Sequence, residues 1–228
     1  MDGYRAKTFP TAAARLRYRA AALDPATGRL AYPAASGEGC FGIFQSDVSQ
    51  TDITRFTLVD VDAVYDGVFR GELGATITEG TPLCGQATDG QLIDARPSLN
   101  VTSTPTLSDV LFTAKKGGIA SRDISVTFVV SGLGTSLAVT VTSHDISVAV
   151  ATDASGAATS TAAEVAAAVN ASAAAAALVL ATAEGAGSGV VEANSQAWLS
   201  GGGDVIALAL AGGADGETIP ILVQGGGA

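Results

Sequence analysis

The chain has a single histidine, His144, between Ser143 and Asp145, and these are the three residue types of a nucleophilic hydrolase. Neighbours along an extended chain point to opposite sides, so the three do not converge on one reacting atom, and Ser-His-Asp reads as the turn of a hairpin. The densest carboxylate group is Asp60, Asp62 and Asp66. Alternation puts Asp60 and Asp62 on one face of a strand, where paired acid/base work and a solvated outer face are the competing readings, and the solvated face is favoured. The same stretch, DVDAVYDG, lacks the ligand order of a calcium-binding loop, because Val64 stands at the third ligand position and no closing Glu follows. GGGD (201–204) and GGAD (212–215) are spaced by eleven residues and miss the nonapeptide calcium repeat. Gly185, Gly187 and Gly189 follow a strand-like run but fail the G-x-G-x-x-G spacing of a dinucleotide loop. Two cysteines and one histidine do not make a zinc site. Cys40 and Cys84 read as small buried hydrophobes, with a disulfide open only if folding brings their strands together. The expectation is a protein that is not an enzyme, with no catalytic residue, no metal and no cofactor.

The elements that carry these residues are mostly strands. LSDVLFTAK (107–115) and DISVTFVVSG (123–132) hold β-branched and aromatic residues between turn signals, separated by a bend at Gly117-Gly118. In 136–152, Leu137, Val139 and Val141 alternate with Ala138, Thr140 and Thr142, break at Ser143-His144-Asp145 and resume as Ile146, Val148 and Val150, which predicts a hairpin. The period then changes. Thr161 and Glu164 form a capping box before an alanine-rich helix over about 161–177, with Val165 and Val169 four apart. In the first half, strands are expected at 40–44, 55–61, 63–72 and 82–87, with an Asp89-Gly90 turn leading into Gln91-Leu92-Ile93. The fold class that follows is mainly β with one α-helix: a small β-barrel or sandwich domain, then an α+β sheet-plus-helix domain, with extended N- and C-terminal arms. The expected boundaries are a basic extended arm at 1–36, a small β-domain at 37–97, a polar linker at 98–106, the sheet-and-helix domain at 107–213 and a C-terminal tail at 214–228.

Charge is unevenly spread. The formal net charge is −10, yet six of the twelve basic residues lie in the first 29 positions beside only Asp2 and Asp24, leaving that arm near +4 and the remainder near −14. Such asymmetry suggests an arm that docks on an acidic surface. Nucleic acid is not an expected partner, because the body is acidic and RLRYR (15–19) offers one aromatic between its charges. Nor is a membrane, since the longest apolar stretch, near 173–183, is alanine-dominated. The start lacks an apolar signal region, so synthesis in the cytoplasm is expected.

Two stretches carry a resemblance. The run from LFTAKKGGIASRDISVTFV through VAVATDASGAATSTAAEVAAAVNASAAAAALVLATAEGAGSGVVEA to WLSGGGD resembles a module shared by head-associated and tail-sheath-like structural proteins of tailed bacteriophages. It covers roughly the last half of the chain. GCFGIFQSDV (39–48) and GATITEGTPLCGQATDGQLIDA (74–95) are similar to the small β-domain of phage capsid decoration, or cement, proteins. The resemblance implies a virion protein on the outer capsid surface, made in the bacterial host, that stabilises the head by bridging capsomers. Its partners would be the major capsid protein and itself, as a homotrimer matched to local three-fold points. Contact residues are expected in the arms: Arg5, Lys7, Arg15, Arg17 and Arg19 at one end, and Ile219, Ile221 and Val223 in a short run that could join a neighbour's sheet. The alternatives are a tail tube, sheath or fibre component, or a surface-displayed module that recognises host glycans through the exposed loops of the first domain, with Trp198 and Tyr65 or Tyr32 as candidate stacking platforms.

Overall fold

A computed structural model of the chain describes residues 5–11, 19–24, 26–27, 29–32, 40–44, 59–87 and 89–223. The described residues are mainly β with one principal helix, as the sequence predicts, but no sheet closes into a barrel. They divide into two units whose boundaries differ from those expected: unit 1 is 1–95 with 202–228, and unit 2 is 96–201. Unit 2 is therefore an insertion in the sequence of unit 1.

Unit 1 is built on one sheet of nine strands: β1 (Arg5–Thr11), β2 (Ala20–Asp24), β3 (Arg29–Ala31), β4 (Cys40–Phe44), β5 (Val59–Glu72), β6 (Pro82–Gly85), β7 (Leu92–Asp94), β15 (Ala207–Ala209) and β16 (Thr218–Val223). The spatial order is β3-β2-β4-β5-β16-β15-β6-β7, with β1 also paired to β5. The long β5 is its spine: residues 59–66 pair with β1 and 67–72 with β16, both antiparallel. β5 merges two expected strands, because the alternation of 63–72 simply continues upstream.

Two expectations about the arms are overturned here. The basic amino-terminal segment is not an extended arm, since β1, β2 and β3 are all sheet strands. The carboxyl-terminal tail is not free either: β16 is inserted between β5 and β15. Ile219, Ile221 and Val223, expected to contact a partner, are 5%, 0% and 1% exposed and belong to the core of unit 1 with Leu73, Leu83, Leu92 and Ile206. Their alternation with Pro220 and Leu222 is that of a central strand with one buried face. Gly71 lies in this core, where a Cβ would meet Leu92 Cδ1 at 2.3 Å, so the absence of a side chain admits Leu92.

Unit 2 has two sheets. One is β8 (Ser98–Val101), β9 (Val110–Ala114) and β13 (Val179–Ala183), in the order β13-β9-β8 and antiparallel throughout. The other has the order β11-β12-β10-β14, formed by β10 (Ser125–Val129), β11 (Ala138–Thr142), β12 (Asp145–Ala149) and β14 (Ala197–Trp198). The expected linker at 98–106 thus begins with a strand. Its polar composition hides an alternation in which Leu99 and Val101 pack on the core while Asn100 is exposed. The predicted hairpin is β11 and β12, joined by Ser143-His144 with Ser143 at φ 58°. The two Asp-Ile-Ser-Val segments come together, because β10 and β12 pair in parallel.

The helix starts where the capping box places it. α1 (Ala162–Ala171) has Thr161 as N-cap: the Glu164 N–H donates to Thr161 Oγ1 at 3.3 Å, and the Thr161 N–H donates to Glu164 Oε2 at 2.8 Å. It ends earlier than the expected position near 177. Ser172 leaves helical geometry (φ −74°, ψ 111°) and caps a second short helix, α2 (Ala173–Leu178), by accepting from the Ala175 N–H. Val165 and Val169 are fully buried in one core cluster with Phe112, Phe128, Val126 and Val148, and the two rings meet edge-on at 6.0 Å. Asn170, one residue before the end of α1, pins the helix to β13. Its Nδ2 donates to the Ala181 carbonyl at 2.8 Å and its Oδ1 accepts the Ala181 N–H at 3.0 Å, so an amide side chain completes the open edge of β13 as a neighbouring strand would.

Because unit 2 has its own core and paired ends, residues 96–201 expressed alone are expected to unfold in one cooperative transition. Thr161→Ala should lower the fragment's stability by about 1 kcal/mol, readable by urea titration. In the full chain, Asn170→Ala should cost about 1–3 kcal/mol by leaving both Ala181 groups unpaired. Asn170→Asp should not rescue it, since a carboxylate cannot donate to the carbonyl.

Candidate functional site

Among the predicted contact residues, Arg15 and Arg17 lie outside the described residues. Arg5 and Lys7 lie in β1, paired opposite Asp66 and Ala63. Arg19 is an internal brace rather than a contact. Its Nη2 and Nε reach the two Glu72 oxygens at 2.7 and 3.3 Å, its Nη1 donates to the Asp89 carbonyl at 3.1 Å, and its side chain is 11% exposed. Gln91 Nε2 adds a bond to Glu72 Oε1 at 3.0 Å. This forked pair ties the start of β2 to the end of β5 and to the Asp89-Gly90 turn. Tyr32 is half-buried and packs edge-on against the buried Phe44 at 5.9 Å. The side chains of Asp60, Asp62, Tyr65, Asp66 and Cys40 fall outside the described set, while Cys84 is buried in β6.

The hairpin turn around His144 does not assemble a triad. Asp145 Oδ1 accepts from Ser125 Oγ at 2.5 Å and from Gln196 Nε2 at 3.0 Å, and Gln196 Nε2 also lies 2.8 Å from Ser125 Oγ. His144 lines an open hollow of about 210 Å³ with Lys116, Ala120, Ser121, Ile124, Ala177 and Leu178. Among the described residues no group of three or more His, Cys, Asp or Glu side chains converges as a metal site would require. No helix among them is long and apolar enough to cross a membrane.

The remaining polar clusters of unit 2 hold loops in shape. Leu107 is one of two non-glycine residues with positive φ among those described, at 63°, and it is 42% exposed. Around it, fully buried Ser108 donates its hydroxyl to the carbonyls of Pro105 and Ser103, Asp109 Oδ1 accepts the Ser103 N–H at 3.1 Å, and Glu192 Oε2 accepts the Thr104 N–H at 3.1 Å. Gly189 closes the loop from the other side: a Cβ there would stand 2.3 Å from the Thr106 carbonyl. The 153–157 loop is organised by Asp153, whose Oδ1 accepts from Ser155 Oγ at 2.7 Å, the Ser155 N–H at 2.8 Å and the Ala157 N–H at 3.0 Å. The Ser155 hydroxyl, followed by these backbone donors, holds the Asp153 carboxyl below its ordinary range.

Two surfaces remain uncommitted. In unit 1, Val68, Leu222, Leu208 and Pro82 are aligned in register across β5, β16, β15 and β6 on the face opposite the core. Val68 is 63% exposed and Leu210, just beyond β15, 37%. In unit 2, Trp198 is 56% exposed, although a lone tryptophan in a chain this poor in aromatics is more often core. The apolar row escaped sequence reading because Val68, Leu208 and Leu222 come from three distant segments. Only the strand register aligns them. Compared with known proteins, the chain matches no family model, no curated protein and no solved structure.

The Asp153 geometry gives a pH dependence with a definite sign. A carboxyl whose folded value lies below its unfolded one stabilises fully above the unfolded value, about 3.9, and the effect is lost as pH falls through the lower folded value. Asp153→Asn should therefore lower thermal stability at neutral pH and shrink that gap as the wild type is acidified below about 4, measured as Tm against pH.

Proposed function

We propose that the chain is a structural subunit of a tailed-phage particle, specifically a decoration or cement protein that binds the major capsid protein on the outer surface of the shell and stabilises the head by bridging capsomers. The observation that carries this reading is the apolar row of unit 1. Four residues from four strands form one apolar row across the sheet, with Val68 exposed and Leu222, Leu208 and Pro82 half-buried beside it, and an apolar row that reaches the surface in this way favours an adhesive face over a solvated one. Its chemistry is burial, and bridging follows from repetition. Each copy contributes modest area, and symmetric self-association, as in a homotrimer, multiplies it across a lattice. The loops of unit 2 fit the same reading, because their polar side chains brace turns and caps instead of meeting around a reacting atom. A tail tube, sheath or fibre role would use the same band in a helical array. The glycan-binding alternative is favoured by a separate observation, the exposed indole of Trp198.

Purified protein mixed with otherwise identical particles that lack it should bind the shell at a saturable copy number, counted by electron microscopy, and raise the temperature at which heads rupture. Val68→Asp, at a position 63% exposed, should leave folding intact and weaken shell binding roughly tenfold or more by placing a charge in a dry contact. Binding confined to tails, no binding at all, or shell binding indifferent to Val68→Asp would overturn the proposal.

A further inference from the structure

The face of the four-stranded sheet that looks away from the unit 2 core is set by strand register. Trp198 on β14 is paired directly opposite Ser125 on β10, Ser125 opposite Asp145 on β12, and Asp145 opposite Thr142 on β11. Residues paired in this way project to the same side. An indole, a hydroxyl, a carboxylate and a second hydroxyl therefore form one row across the sheet, with Thr140 one step along β11 on the same side. Gln196 reaches into the row from just before β14, and its Nε2 donates to both Ser125 Oγ and Asp145 Oδ1. Trp198, Asp145, Gln196, Thr142 and Thr140 are all exposed. The amide bonds fix the rotamers of Asp145 and Gln196 beside the indole before any ligand arrives.

We propose that this row is a binding site for a neutral carbohydrate. A pyranose ring has an apolar face of C–H groups and a rim of hydroxyls that each donate and accept. The indole supplies a flat apolar plate for the face, while Asp145, acceptor-only when ionised, and the Gln196 amide serve the rim. Electrostatics select against the other obvious occupants. β10, β11, β12 and β14 contain no lysine or arginine, so the row itself offers a phosphate or sulfate no cation beside the Asp145 carboxylate. A dry protein interface would have to take the Asp145 charge and the Thr142 hydroxyl out of water, a desolvation cost that opposes it. A hydroxyl-rich ligand leaves every polar group of the row hydrogen-bonded.

The chain has one tryptophan, so fluorescence excited at a wavelength that the tyrosines do not absorb reports on Trp198 alone. The full chain is titrated with neutral hexasaccharides of α-1,4-glucose, β-1,4-glucose and β-1,4-N-acetylglucosamine, beside a sulfated heparin fragment and oligo-lysine. At least one neutral sugar should give a saturable emission shift that survives 0.5 M salt, as an uncharged ligand implies. By calorimetry, Trp198→Ala should abolish that binding, and Gln196→Ala and Asp145→Asn should each weaken it roughly tenfold with the circular dichroism spectrum unchanged. Should Trp198→Ala lose its fold, the Gln196→Ala comparison decides. The proposal is overturned if no neutral sugar shifts the emission, if the variants bind as the parent does, or if only heparin or oligo-lysine binds. Particle binding by unit 1 does not enter this assay, so either proposal can fail alone.

Discussion

An insertion of 96–201 within another folded unit depends on keeping its two chain crossings together. Closing a flexible loop of that length costs roughly 4 kcal/mol in its length-dependent part. The structure meets the requirement twice. Within unit 2, Ser98 and Ser200 exchange both backbone hydrogen bonds at 2.8 Å. Within unit 1, the Gly203 N–H donates to the Ala95 carbonyl at 3.1 Å. Once unit 2 has folded, its ends are already adjacent, and unit 1 experiences a short connection instead of a long loop. That is why β15 and β16, far along the chain, can complete a sheet begun by β1 to β7.

The same economy explains where the polar residues went. Each unit is small and poor in aromatics, so its strands and loops are held by side chains that imitate backbone. Asn170 offers β13 the donor and acceptor of a missing strand, Asp153 gathers three donors into a turn, and Glu164 closes the first turn of α1. In unit 1 the Arg19 and Glu72 pair does the equivalent between strands. Each of these groups is engaged by the element it stabilises.

Local signals were legible in the sequence, and long-range pairing was not. The capping box at Thr161, the hairpin across Ser143-His144 and the strand at Cys40–Phe44 each depend on residues within a few positions of one another, and each is where those residues put it. The unit boundaries failed because composition marks polarity, whereas membership is decided by pairing: Ser98–Val101 is polar yet lies beside β9, and Thr218–Val223 looks like a tail strand yet lies between β5 and β15. The run 219–223 was read as a strand that could join a neighbour's sheet, and it is a strand, but it pairs with β5 and β15 of this chain. The exposed features show the same limit. Trp198 is a single residue with no periodic context, and its companions Ser125, Asp145 and Gln196 become a row only through the parallel pairing of β10 with β12.

The two proposed surfaces differ in what they require of a partner, and the insertion keeps those requirements apart. A row of Val68, Leu222, Leu208 and Pro82 is satisfied only by another dry surface, so its contribution grows with contact area and with repeated copies. The Trp198 row is satisfied by a ligand that restores hydrogen bonds to Asp145 and Thr142, so it tolerates water and discriminates by geometry. Placing both on one sheet would surround the carboxylate with the desolvation that the apolar band demands, raising the cost of each. Separate cores joined by two paired crossings let an adhesive surface and a recognition surface be changed independently, because Val68 belongs to unit 1 and Trp198 to unit 2. For a subunit proposed to hold a shell while presenting a reader to its surroundings, the inserted unit is the part of the fold that makes this division possible.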